Sequence, residues 1–190
     1  MSRWFNFSEP EFQFRTLEEI RRSWSKIPGE EAKTAIAEGH QYYDFLTTMV
    51  VDRVQSWSHP LDEREHWHKP SRLDLSARAG AIASAIIVGT SIIECAMRAH
   101  AESRKMGKVM KVQPERRTFG KLITVWSKHG DYSKEIDPVF EDMKKLQARR
   151  NNIHLYARFG RRWEDVLEEE DGLKRSTDRL IEFFQGLEPK

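Results

Sequence analysis

An all-α fold, a bundle built on long antiparallel helices, is the architecture this sequence predicts. Three observations carry that expectation. Apolar residues recur at helical spacing in nearly every segment, and strand-like alternation is missing. No repeat, low-complexity tract or Gly/Ser linker divides the chain. At 190 residues, there is enough chain for one domain with a substantial core and an appendage.

Composition narrows the class. Hydrophobic residues make up 38%, charged residues 33% and aromatic residues 11%, which describes a charge-rich globular chain and argues against disorder. The net charge of +2 does not announce a nucleic-acid binder, so any electrostatic argument rests on where the charges lie. Cys95 is the single cysteine, which excludes an intrachain disulfide and a cysteine zinc site. A reducing cytoplasm is the expected location. The start, MSRWFNFSEPEF, lacks the basic region and apolar core of a signal peptide. The longest uncharged stretch, Ala79 to Ile93, is 15 residues, shorter than a bilayer span, and reads as a buried helix with no membrane role.

The elements follow in order. An aromatic arm carries Trp4, Phe5, Phe7, Phe12 and Phe14, and Ser8-Glu-Pro-Glu11 reads as a capping box. Helix one then places Leu17, Ile20, Trp24 and Ile27 on one side and stops at Pro28-Gly29. Helix two is expected from about Glu30 to Trp57, with Ile36, Tyr43, Leu46, Val50 and Val54 inward. A proline-bounded loop spans Ser58 to Pro70. Helix three, Leu73 to Arg104, is the most apolar, and its small residues permit close helix approach. Glu94 within it needs a partner or water. Helix four covers Thr118 to Lys128, helix five starts near Ser133, and a final helix covers Leu173 to Leu187 after an acidic run, Glu164 to Asp171. Residues 1–70 are expected to form an arm and helices packed on the same bundle, with 71–190 as the helical core.

Helix five ends in LQARRNNIHLY, Leu146 to Tyr156. At about 100° per residue, Ile136, Val139, Phe140, Met143 and Leu146 share one stripe, which continues to Arg150 and His154. Arg149 lies about 100° round from Arg150. The bland reading is a helix C-terminus, where Arg and His complement the dipole by about 0.3–1 kcal/mol.

Arg149, His154 and Tyr156 spell R-x4-H-x-Y. This resembles the motif of the HEPN superfamily, and closely that of the HEPN toxins paired with minimal nucleotidyltransferase antitoxins. The long apolar helix with Ser91-Ile-Ile-Glu94, and the short helix TFGKLITVW before the motif helix, resemble the family over about Leu73 to Leu187. The family usually has a small polar residue after its arginine. Here Arg150 follows Arg149, and the Arg-Asn pair is Arg150-Asn151. Family spacing selects Arg149 and wheel geometry selects Arg150, since i and i+4 face together. Arg149 is placed first and Arg150 is its rival.

The resemblance implies a HEPN-like bundle and a metal-independent endoribonuclease that needs no cofactor. Two protomers would join their motifs in one composite site. Arg149 and His154 would be catalytic, with Asn151, Asn152, Tyr156 and Glu94 supporting. Tyr156 matches the tyrosine that the paired antitoxin adenylylates, so an antitoxin or nucleotidyltransferase is an expected partner, and the setting is a toxin–antitoxin pair or antiphage defence. The connector from Arg98 to Lys128 holds nine Lys/Arg against two Glu, and Lys105, Lys108, Lys111, Arg116 and Arg117 are the candidate phosphate contacts for RNA. A solvated charged face is the plain alternative. His59, His66 and His68, with Asp62, Glu63 and Glu65, fit no recognised zinc spacing, and no metal is expected. The other functional readings are a non-catalytic HEPN module binding RNA, nucleotide or a protein partner, and a helical scaffold with no nucleic-acid role.

Overall fold

A computed structural model describes residues 14–48, 75–106, 109, 111, 113, 116–151 and 161–189, and all regular elements among them are helical. Helix α1, Leu17–Ser23, begins at a reciprocal cap. The Thr16 hydroxyl accepts from the Glu19 N–H at 3.2 Å, and the Glu19 carboxylate accepts from the Thr16 N–H at 2.7 Å. Residues 14–16 are not helical, so helix one starts later than the Ser8–Glu11 reading placed it. Ser8–Glu11 themselves lie outside the described residues. Gly29, at φ 85°, takes a left-handed conformation that an L side chain would strain, and turns the chain into α2.

Helix α2, Glu30–Phe45, forms the first part of the predicted helix two, whose residues 49–57 lie outside the described residues. A wider, π-type turn follows over 46–48, where the Thr47 hydroxyl donates back to the Tyr43 carbonyl at 3.0 Å. Val50, Val54 and the loop with His59, His66 and His68 lie outside the described residues. Between α1 and α2, His40 is buried. The Trp24 indole donates to its Nδ1 at 2.8 Å, and Arg15 Nη2 sits 2.9 Å from its Nε2. Arg15 is itself held by Asp44.

Helix α3, Leu75–Ser103, is the centre of the bundle and packs on both α2 and the last helix, α7, Trp163–Gly186. Among the described elements, the α3–α7 interface is the most extensive. By length and composition, Ala79–Ser103 is apolar enough to cross a membrane, which the 15-residue reading did not anticipate; half of its apolar window is packed inside the bundle. Close approach is built into Gly89. A methyl group there would collide with the buried Thr177 side chain and press on the Tyr43 ring. Beside it the Tyr43 hydroxyl donates to Asp178 at 2.5 Å, joining α2 to α7. Gly89→Ala is therefore expected to lower stability by about 1–3 kcal/mol, read as a shifted urea midpoint. Gly80→Ala, whose added methyl group would touch nothing within 4 Å, is the control.

Helix α4, Phe119–Ser127, buries Phe119, Leu122, Ile123 and Trp126. Helix α5, Ser133–Ile136, passes through a 3-10 turn at Asp137–Val139, where Pro138 removes a donor, into α6, Phe140–Asn151. Helix α7 begins ten residues before the predicted Leu173, so the acidic run belongs to its first turns. Acidic residues favour a helix N-terminus. Val166, Leu167 and Leu173 are buried on the stripe that Leu180, Ile181 and Phe184 continue.

The end of α7 is clasped to α1 and α3. Gln185 donates to the Ser23 hydroxyl at 3.0 Å, and Lys26 reaches the Gly186 carbonyl at 3.1 Å and Glu188 at 2.6 Å. Arg104, just past α3, donates to the Glu188 carbonyl at 2.9 Å and pairs with Glu135 at 2.5 Å. Its guanidinium lies over the Trp126 and Tyr132 rings, 5.2 and 4.8 Å from their centroids. One turn earlier, His100 is fully buried, and neither ring nitrogen has a hydrogen-bond partner among the described residues.

Candidate functional site

The site is built on the last turn of α6. Ile136, Val139, Met143 and Leu146 are buried along one face, which seats the helix against the bundle. Asp142 sets its rotation: it accepts from the Ser176 hydroxyl at 2.8 Å and from Arg179 at 2.9 Å, both on α7. With α6 held there, Arg149 and Arg150 diverge toward different helices.

Arg149 faces α7. Its Nη2 lies 2.5 Å from Oε1 of Glu170, with side-chain exposures of only 12% and 3%. Arg150 turns to α3 and pairs with Glu94 in a more open position, with side-chain exposures of 39% and 19%. Glu94 thus has the partner that its place in an apolar helix demands. The wheel put Arg150 on the buried stripe, yet Arg149, off the stripe, is the more enclosed of the two. The α7 flank closes over it.

Asn151 is the last residue of α6, while Asn152, His154 and Tyr156 lie outside the described residues. The arginine half of the motif is thus located. Among the basic-connector residues, Lys105, Lys111 and Arg116 are exposed, and Lys108 lies outside the described residues. Arg117 is drawn inward to Glu102, which it shares with Arg98. Burial resists ionisation of Glu102, but the two guanidiniums outweigh it and hold the carboxyl below its ordinary range.

Two depressions flank the α6 C-terminal turn. One, of about 550 Å³ between α6 and α7, is lined by Lys145, Arg149, Arg161, Glu168, Glu169 and Glu170 among others. The other, of about 660 Å³ between α4 and α6, is lined by Thr118, Lys121, Thr124, Gln147 and Arg150 among others. Sequence reasoning did not single out Glu170, Lys121 or Gln147. Extending the α7 stripe backward from Leu173 in helical steps would have landed on Glu170, a carboxylate at a buried position. No protein-family model, curated protein or solved structure matches this chain.

Proposed function

We propose that this chain is a metal-independent endoribonuclease of the HEPN kind, a HEPN-like antiparallel bundle with an N-terminal helical extension that acts as a homodimer with a composite site. The reading rests on the R-x4-H-x-Y resemblance. The observation that best supports it is that two adjacent arginines close α6, each oriented by a carboxylate from a different helix.

RNA carries its own nucleophile. His154 of one protomer removes the 2′-hydroxyl proton, and the 2′-oxygen attacks phosphorus. The 5′-oxygen leaves and takes a proton from His154 of the second protomer. The products are a 2′,3′-cyclic phosphate and a 5′-hydroxyl. An imidazole with an ordinary pKa of about 6.5 serves either transfer near neutral pH. A guanidinium fork stabilises the phosphorane oxygens. Arg149, at the family's spacing, is assigned that role with Glu170 orienting it; Arg150, the more open of the two, is its rival. Asn151, Asn152 and Tyr156 position the phosphate or the imidazole. The toxin or antiphage setting, and adenylylation of Tyr156 by a partner, rest on the resemblance.

The test is cleavage of total RNA and tRNA with EDTA present. Wild type is expected to leave cyclic phosphate ends, and His154→Ala to cleave at least about 100-fold more slowly with the dimer intact. Equal cleavage by the two proteins would end the proposal. One observation favours a second reading, a non-catalytic module that binds RNA, nucleotide or a protein: both arginines already have carboxylate partners. Binding of RNA with no cleavage that depends on His154 would select it.

A further inference from the structure

We infer that the RNA strand approaches the arginine turn along the groove between α4 and α6, with Lys121 and Arg150 on its phosphates. The inference rests on the ribonuclease reading above and adds a direction to it.

The two depressions beside the α6 C-terminal turn are of similar size, but one is balanced in charge and the other is cationic. The α6–α7 depression matches its cations Lys145, Arg149 and Arg161 with Glu168, Glu169 and Glu170. A strand bearing one negative charge per nucleotide gains nothing there and meets three carboxylates. The α4–α6 groove has Lys121 and Arg150 in its lining and no carboxylate among its described lining residues, Glu94 reaching it only through its pair with Arg150. Its other polar groups, Thr118, Thr124 and Gln147, are neutral, which suits phosphate oxygens and ribose hydroxyls.

Arg150 belongs both to this groove and to the last turn of α6, so the groove reaches the arginine end of the motif. Glu94 takes part of the Arg150 guanidinium, but a fork with five donors can serve a carboxylate and a phosphate together. The Lys121 side chain is exposed, and Arg116, also exposed, lies two residues before the groove begins at Thr118. Gly120 keeps the wall open for Gln147, whose amide occupies the space where a side chain at Gly120 would begin. These contacts hold the phosphate backbone without reading bases. The groove therefore implies little sequence preference in binding.

The experiment uses the full chain carrying His154→Ala, so that RNA is bound and not cut, and a fluorescein-labelled single-stranded RNA read by anisotropy across a salt series. Adding Lys121→Glu is expected to weaken binding by roughly tenfold or more at low salt and to reduce the salt slope by about 0.7. Adding Lys145→Glu, on the α6–α7 side, is expected to change affinity by less than about twofold. Both positions are exposed, and a thermal melt confirms equal folding. In the cleaving protein, Lys121→Glu is expected to slow cleavage of dilute RNA by the same factor as it weakens binding. Equal effects of the two substitutions, or a larger one from Lys145→Glu, would overturn the groove while leaving the ribonuclease reading intact. Failure of the His154→Ala protein to bind RNA at low salt, together with no cleavage by wild type, would remove the ribonuclease reading and the groove with it.

Discussion

Acidification from pH 7 to pH 4 is expected to strip about 6 kcal/mol from the stability of this protein through two histidines. Burial is the main force pushing both His40 and His100 down to about 4, against an ordinary value of 6.5. Asp44 and Asp178 pull His40 back upward, and Arg15 adds to the depression. Arg104 deepens the shift of His100, and Glu135 opposes it. The contacts make the direction plain. Both ring nitrogens of His40 face N–H donors, from Trp24 and Arg15, so either neutral tautomer can accept from one of them and the doubly protonated ring from neither. His100 has no hydrogen-bond acceptor for a second proton among the described residues.

The fold therefore favours the neutral rings. The unfolded chain takes up these protons near pH 6.5, the native state only near pH 4. The stabilisation is complete above 6.5, falls through the window between these values, and is gone below it. Each ring contributes roughly 3 kcal/mol at about 1.4 kcal/mol per pKa unit. Glu19 is held below its ordinary range by hydrogen bonds from Thr16, Glu30 by Lys33, and Glu102, against burial, by Arg98 and Arg117, so these carboxylates add to the loss only at the acidic end. Urea midpoints measured from pH 7 to pH 4 should fall steeply. His100→Met, which removes the buried titrating group, should flatten the slope by about half, and His40→Gln should do the same on the other side of the bundle. An unchanged slope in both variants would refute the assignment.

The second large effect belongs to Arg149. Arg149→Ala leaves Glu170, 3% exposed, as a buried carboxylate without its guanidinium. Such a loss costs about 3–5 kcal/mol, whereas removing the more open Arg150 costs about 1 kcal/mol or less. Adding Glu170→Gln to Arg149→Ala should recover most of the stability, because the buried charge that lost this guanidinium disappears with it. If Arg149→Ala unfolds at the wild-type urea concentration, the pair is not the clamp between α6 and α7 that its geometry indicates. The doubly substituted protein also separates structure from chemistry: folded but inactive, it would mark Arg149 as more than a clamp. Arg150→Ala in the same cleavage assay then decides between the two arginines.

Much of the fold was legible because helical periodicity is local. Helices α3 and α4 lie within two residues of their expected ends, since Ile82, Ile86 and Ile93 mark a buried face at i, i+4 and i+11, and Phe119, Ile123 and Trp126 at i, i+4 and i+7. The start of α7 was missed for an equally local reason. The acidic run was placed before the helix, and its charges hid the stripe formed by Val166, Leu167 and Leu173. That error also hid Glu170, the partner of Arg149. The need of Glu94 for a partner was readable from its neighbours Ile92 and Ile93; the identity of that partner, 56 residues away, was not. Pairing across helices depends on how α6 is rotated, and Asp142, Ser176 and Arg179 set that rotation through tertiary contacts.

The clasp between the end of α7 and the start of the described chain has a consequence for biosynthesis. Gln185 and Ser23 are 162 residues apart in sequence, and the largest face of α3 waits for a helix translated long after it. On the ribosome, α1, α2 and α3 can meet early, but the apolar side of α3 that α7 covers stays bare until α7 itself has emerged. Such a nascent chain presents an adhesive surface to chaperones or to its own neighbours on a polysome. Completion of this bundle then waits for α7, and any fragment released before α7 is made carries that uncovered face with it.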